Sequence, residues 1–167
     1  MTVRLNSLIA AATIIVFALG CNDSLTTYDG TPSDETIATK RLPGSDHGGA
    51  YLSTDMTGAE EAPGPGDPDG SGFAEFTFNI GQREVCFALT AVDIAAAAAS
   101  HIHVAPAGIP GPIVIPLVPP TDGSSSGCVA DVDRDLMKDI LMNPEAYYVN
   151  VHNADFPPGA IRGQLSR

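Results

Sequence analysis

The chain has 167 residues, a formal net charge of -12, 44% hydrophobic residues and no Trp. This length allows one domain with a real core, which must be mostly aliphatic because aromatics make up only 6%. The acidic balance excludes the basic surface that nucleic acid needs to release its counterions, and it opposes adsorption to anionic lipid.

The N-terminal stretch "MTVRLNSLIAAATIIVFALGC" carries one basic residue, Arg4, and then an uncharged apolar run over residues 8–19. That run is shorter than the ~20 residues of a membrane span and fits the apolar region of a secretory signal. It ends in "FALGC", where Gly20 before Cys21 resembles a bacterial lipobox, although Ala18 stands where that motif prefers Leu. Residues 1–20 are therefore expected to be a lipoprotein-type signal peptide. Cys21 would be the acylated mature N-terminus, placing the protein in the cell envelope with its lipid anchor as the sole membrane contact. Plain cleavage near Gly20 would instead leave a secreted protein. Residues 22–48 are rich in Ser, Thr, Asp, Pro and Gly, have no apolar period, and read as a flexible tether that includes His47.

From Ala50 onward the pattern is short and alternating. "AYLSTDMTG" places Leu52, Thr54 and Met56 on one face. "GAEEAPGPGDPDGSG" offers oxygen ligands at Asp67, Asp69 and Ser71, but it lacks the calcium-loop spacing and reads as a solvated hairpin connection. "FAEFTFNI" turns Ala74, Phe76, Phe78 and Ile80 inward, and "EVCFALTAV" does the same with Val85, Phe87 and Leu89. "DIAAAAAS" is too short for an isolated helix and predicts a turn, or one helical turn, leading into "HIHV". "GPIVIPLV" is β-branched but contains prolines, which suits an edge strand or an extended loop. "TDGSSSG" reads as a flexible turn and "GCVADV" as a short strand. "DRDLMKDILMNPEAY" predicts a helix capped by Asp133, with Leu136, Met137, Ile140 and Leu141 as its apolar stripe and Pro144 as its stop. "AYYVNVHN" and "AIRGQLS" close the chain as strands. The class is mainly β, a Greek-key-like antiparallel sandwich or barrel with one short helix.

Two cysteines, Cys86 and Cys128, remain once Cys21 is set aside. In an exported chain they form an even pair and are expected to make one disulfide, rather than two buried free thiols.

Several segments, in their order and spacing, resemble a CHRD domain, the module first described in chordin and common in bacterial secreted proteins. They are "LSTDMTGAEEAP", "GSGFAEFTFN", "VCFALTAVDIAAAAASHIHVAPAG", "GPIVIPL" and "YYVNVHNADFPPGAIRGQL", and they span residues 50–166. The resemblance implies an extracytoplasmic, mainly antiparallel β module and carries no catalytic activity with it.

His101 and His103 are two residues apart, so on a strand they share a face, while Ile102 and Val104 share the other. In "YYVNVHN", Tyr148, Asn150 and His152 likewise oppose Val149 and Val151. If both strands turn their aliphatic faces inward and are neighbours, the three imidazoles converge. Three imidazoles with an open position suit Zn²⁺ or Cu²⁺. The His-x-His pair is similar to that of copper/zinc superoxide dismutases, but a bridging His and a zinc-ligand Asp are missing from the sequence. The alternative, placed ahead of the metal, is structural: His103 and His152 bond backbone carbonyls in the Gly/Pro loops that follow them. Arg162 and Gln164 also face away from the core, and Arg162 is a candidate partner for Asp155 or for a ligand anion. The sequence offers no nucleophile elbow, phosphate-binding Gly loop or paired carboxylates. The expected function is a non-enzymatic binding or scaffold module for a protein or small ligand. The second reading is a mononuclear Cu or Zn protein, with possible redox chemistry, that uses His101, His103 and His152.

Overall fold

The computed structural model describes residues 48–167, so the signal peptide, Cys21 and nearly all of the expected tether lie outside the described residues. Eight strands run in chain order as β1 Ala50–Thr57, β2 Ser71–Asn79, β3 Glu84–Val92, β4 Ala97–Val104, β5 Ile113–Leu117, β6 Ser124–Val129, β7 Tyr147–Asn153 and β8 Ile161–Gln164. One helix, α1 (Arg134–Met142), lies between β6 and β7. The strands form a single sheet in the order β5-β4-β7-β8-β1-β2-β3-β6, and every pairing is antiparallel. The sheet curls into a nearly closed barrel. Across its seam the Ser125 hydroxyl, on β6, donates to the Val118 carbonyl just after β5, at 2.7 Å.

The alternation read in the sequence explains the core. Leu52 and Met56 of β1, Ala74, Phe76 and Phe78 of β2, and Val85, Phe87 and Leu89 of β3 are all buried on one face. Ile102, Val149, Val151, Ile161 and Leu165 continue the same cluster around the barrel. Asp133 caps α1 by accepting from the Asp135 and Leu136 amides, and the helix contributes Met137 and Ile140 to the core. β5 lies at one end of the strand order, as its prolines require. Cys86 and Cys128 are direct cross-strand partners on β3 and β6 and are disulfide-bonded.

Of the two forms expected for "DIAAAAAS", the turn is the one present: a bend at residues 93–95 leads straight into β4, where Ala97 and Ala99 pair with Asn153 and His152. Cross-strand pairing overrides their helix propensity. Local readings differ from the structure in two places. Ser124–Ser126 are strand rather than flexible turn, because β6 pairs along β3 from Ser124 onward and only residues 121–123 turn. Residues 58–70 are not simply solvated, since Glu61 and Asp67 are both buried in that connection. It is tied back to the sheet by the Asp67 amide, which donates to the Ala160 carbonyl at 2.8 Å.

Candidate functional site: a buried histidine cluster on the outer face

β4 and β7 are neighbours, and their register sets His101 opposite Asn150, His103 opposite Tyr148, and Ala99 opposite His152. β8 then sets Arg162 opposite Asn150 and Gln164 opposite Tyr148. With the aliphatic faces inward, His101, His103, Tyr148, Asn150, His152, Arg162 and Gln164 all fall on the outer face of three adjacent strands. The centre of this face is closed to solvent, Arg162 and Asn150 being each 1% exposed, Tyr148 2% and His103 7%, while His101, His152 and Gln164 are half-buried.

The loop at residues 105–112 is clasped onto the sheet. Arg162 donates to the Ile109 carbonyl at 3.0 Å and the Pro106 carbonyl at 2.9 Å, and Gln164 donates to the Ala105 carbonyl at 2.7 Å. Arg162 therefore serves this loop and not Asp155. Its guanidinium also lies 3.4 Å from the centre of the Tyr148 ring, whose other neighbour is the His103 ring, stacked at 4.7 Å and 6°. Gly111 is required where the loop returns to β4, because a Cβ there would overlap the Val104 carbonyl.

The histidine rings are oriented by those loops. His103 Nδ1 donates to the Gly111 carbonyl at 2.8 Å, and His152 Nδ1 donates to the Pro157 carbonyl at 3.0 Å. A carbonyl accepts only, so each Nδ1 carries the proton and each Nε2 presents a lone pair. His152 Nε2 can only accept, so its 3.3 Å contact with His101 Nδ1 is a hydrogen bond that His101 donates, and the ring centres are 5.1, 5.5 and 6.3 Å apart. One nitrogen from each ring lies within 4.8 Å of the other two. His103 Nε2 is buried without a hydrogen-bond partner, as are Asn150 Oδ1 and Glu61 Oε2.

The electrostatics keep the rings neutral. Burial is the main cause in each case and lowers the pKa of all three. His101 is pushed down to about 4, with added repulsion from His152 and His103. His103 is also lowered, the Gly111 bond opposing the shift and His152 and Arg162 adding to it. Neutral imidazole is the state that ligates metal.

Sequence reasoning missed Glu61. Its carboxyl is buried, its Oε1 accepts from the Ala62 amide at 3.0 Å, and burial raises its pKa, with Arg162 and Asn150 opposing the rise. Space for it depends on Gly159, where a Cβ would overlap Oε2. One acid among the four of a Gly/Pro-rich connection has no sequence signal that separates it from a solvated neighbour.

The fold and this face define a small antiparallel β-barrel module, with a disulfide between the paired strands β3 and β6 and a loop-covered cluster of three histidines on its outer surface. The CHRD domain family model matches residues 52–165, and the chain belongs to that family. Neither the curated proteins nor the solved structures compared with it gave a match.

Proposed function

We propose that the protein is an exported, lipid-anchored CHRD module with a non-enzymatic binding role, whose ligand is a single transition-metal ion, Zn²⁺ or Cu²⁺. His103 Nε2, His152 Nε2 and, once its proton has moved to Nε2, His101 Nδ1 would hold the ion. The observation that carries this reading is the pairing, in His103 and His152, of an Nε2 lone pair turned into the cluster with an Nδ1–H donor anchored to a loop carbonyl. The structural and the metal roles of these histidines are thus one arrangement: a ligating imidazole characteristically donates its other N–H to a carbonyl or carboxylate, which fixes tautomer and direction. Zn–N bonds of about 2.0–2.1 Å at a tetrahedral angle put ligand nitrogens about 3.3–3.4 Å apart, and the His101–His152 separation of 3.3 Å already fits. Among the described residues no thiolate joins the histidines to select a softer ion. Export and anchoring rest on the apolar run before Cys21, and the Cys86–Cys128 bridge suits an oxidising compartment.

Metal analysis of the purified protein after loading with Zn²⁺ and dialysis tests the ion: about one equivalent is expected to remain, and none in His152→Ala. Zinc-free wild-type protein after this treatment would overturn the metal reading. His103→Ala is expected to lose the ion and also about 1–3 kcal/mol of stability in the metal-free state, because the Gly111 carbonyl is left without its donor. Anchoring is tested apart from the ion, by detergent partitioning of the intact protein and of Cys21→Ser. A soluble unsubstituted protein would sink the anchor alone.

A further inference from the structure

Asn150 lies at the centre of the histidine cluster. It is opposite His101 in the β4–β7 register, two residues from His152 on the same strand face, and diagonal to His103. Side chains directly opposite on an antiparallel pair have Cβ atoms about 4.5–5.5 Å apart, so the amide lies among the three rings. At 1% exposure it is sealed from bulk water, yet its Oδ1 has no hydrogen-bond partner.

The Asn150 amide lies within hydrogen-bonding reach of Glu61 on one side and His103 on the other. An N–H directed at the Glu61 carboxylate turns Oδ1 toward His103. The flipped amide would set oxygen against carboxylate, acceptor facing acceptor. The tautomer of His103 is fixed by the Gly111 carbonyl, so its Nε2 offers a lone pair and not a proton. Two buried acceptors, Asn150 Oδ1 and His103 Nε2, therefore belong to one locus, and neither has a donor in the protein. Unpartnered buried acceptors are costly, and two facing one another are satisfied by a cation.

We propose that Asn150 Oδ1 is the fourth ligand of the ion held by His101, His103 and His152, with Glu61 behind it as the positioning residue that sets the amide's direction. This assignment rests on the metal reading above and goes further. It closes the coordination shell at three nitrogens and one oxygen, all from the chain, and leaves no position for a substrate. A closed shell is the pattern of ions that are kept rather than ions that catalyse. Three neutral imidazoles and a neutral amide oxygen form a donor set for a borderline divalent ion such as Zn²⁺, for which Co²⁺ is a coloured substitute.

The test is titration of Zn²⁺ and Co²⁺ into the full-length purified protein, into N150A, E61Q and H152A, in competition with a chromophoric chelator, with the visible Co²⁺ spectrum recorded in each. Wild type is expected to bind one ion and H152A none. N150A is expected to bind Zn²⁺ at least about tenfold more weakly with an altered Co²⁺ spectrum, and E61Q to retain the stoichiometry with a smaller loss. Unchanged affinity and an unchanged spectrum in N150A, while H152A loses the ion, would overturn the Asn150 assignment and leave the three-histidine site standing. Absence of any ion from wild type would overturn both. If N150A does not fold, N150D decides, since it keeps the side-chain shape and supplies a charged oxygen: tighter Zn²⁺ binding than wild type is expected, and equal or weaker binding would overturn the assignment.

Discussion

The two halves of the barrel use the same strand alternation to different ends. In β2 and β3 the inward residues build the core, while the opposite face meets solvent at one end, where Phe73 is 38% exposed, Val92 55% and Thr90 exposed, and buries only Thr77 and the disulfide residue Cys86. In β4, β7 and β8 the centre of the outward face, His103, Tyr148, Asn150 and Arg162, is as buried as a core, with His101, His152 and Gln164 half-buried around it. The difference lies in the loops. On the first side tight turns leave the outer face uncovered. On the second, residues 58–70, 105–112 and 154–160 fold over it and are held by the side chains they cover. A buried polar face needs nearly every donor and acceptor matched, and most here are. Of the four buried side-chain atoms without a partner among the described residues, Ser100 Oγ lies on the inward face of β4 and the three on this face, on His103, Asn150 and Glu61, gather around one point, and matched surroundings with clustered exceptions are how a ligand site differs from a polar core.

The largest expected effect comes from Arg162, which holds that cover in place. Arg162→Ala removes its hydrogen bonds to Pro106, Ile109 and Gln164 and its cation–π contact with Tyr148, and strands the carbonyls it served inside the protein. A loss of about 3–5 kcal/mol in denaturant unfolding is expected, the range for breaking a buried charged network. Because the loop carries the Gly111 carbonyl that orients His103, metal retention should fall as well. A stability change under about 1 kcal/mol would mean that the cover is held by something else. Lysine at this position would keep the charge but lose the planar fork that serves two carbonyls, so it should recover only part of the loss.

The contrasting half offers the next effect. The Cys86–Cys128 bridge closes a separation of 42 residues between β3 and the terminal strand β6. Chain-entropy reasoning puts its contribution at about 2–4 kcal/mol. The double substitution C86A/C128A should lower the unfolding midpoint accordingly while retaining one equivalent of Zn²⁺, since no residue of the bridge touches the histidine face. Loss of the ion together with the disulfide would erase the distinction between the halves.

Much of this was legible in the sequence, for a definite reason. Period-two alternation with Ile102, Val149 and Val151 as the apolar members fixes which way His101, His103, Asn150 and His152 point, and aliphatic burial enforces it. What alternation does not carry is the fate of the opposite face. Nothing local to Glu61 distinguishes it from a solvated acid, because its burial depends on Gly159 nearly a hundred residues later. Arg162 beside Asp155 reads as an ion pair, whereas its partners are the carbonyls of a loop more than fifty residues earlier. Ser124–Ser126 show no apolar period because β6 is a terminal strand none of whose residues is fully buried on either face.

The smallest effect sharpens the comparison by pH. Burial drives the pKa of His101 from its ordinary 6.5 down to about 4, and His103 and His152 shift the same way. A histidine lowered in the folded state binds its proton more readily when unfolded. Its contribution to stability is therefore complete above about pH 6.5, is lost as pH falls through the window down to about 4, and changes no further below it. Glu61 acts with the opposite sign: its raised pKa lets the folded state take up a proton first as pH falls through the carboxylate range, offsetting part of the loss at the acid end. The His101 ring is partly reached by solvent, which reduces its share to on the order of 1 kcal/mol. Metal-free wild type should thus lose melting temperature between pH 6.5 and 4, and His101→Gln should lose visibly less. C86A/C128A, altered on the half without histidines, should keep the wild-type slope. Equal slopes for wild type and His101→Gln would show that the neutral cluster is not what couples this face to pH. Loaded with Zn²⁺, wild type should hold its melting temperature further into acid before a steeper fall, because protons must then displace the ion from all three rings together.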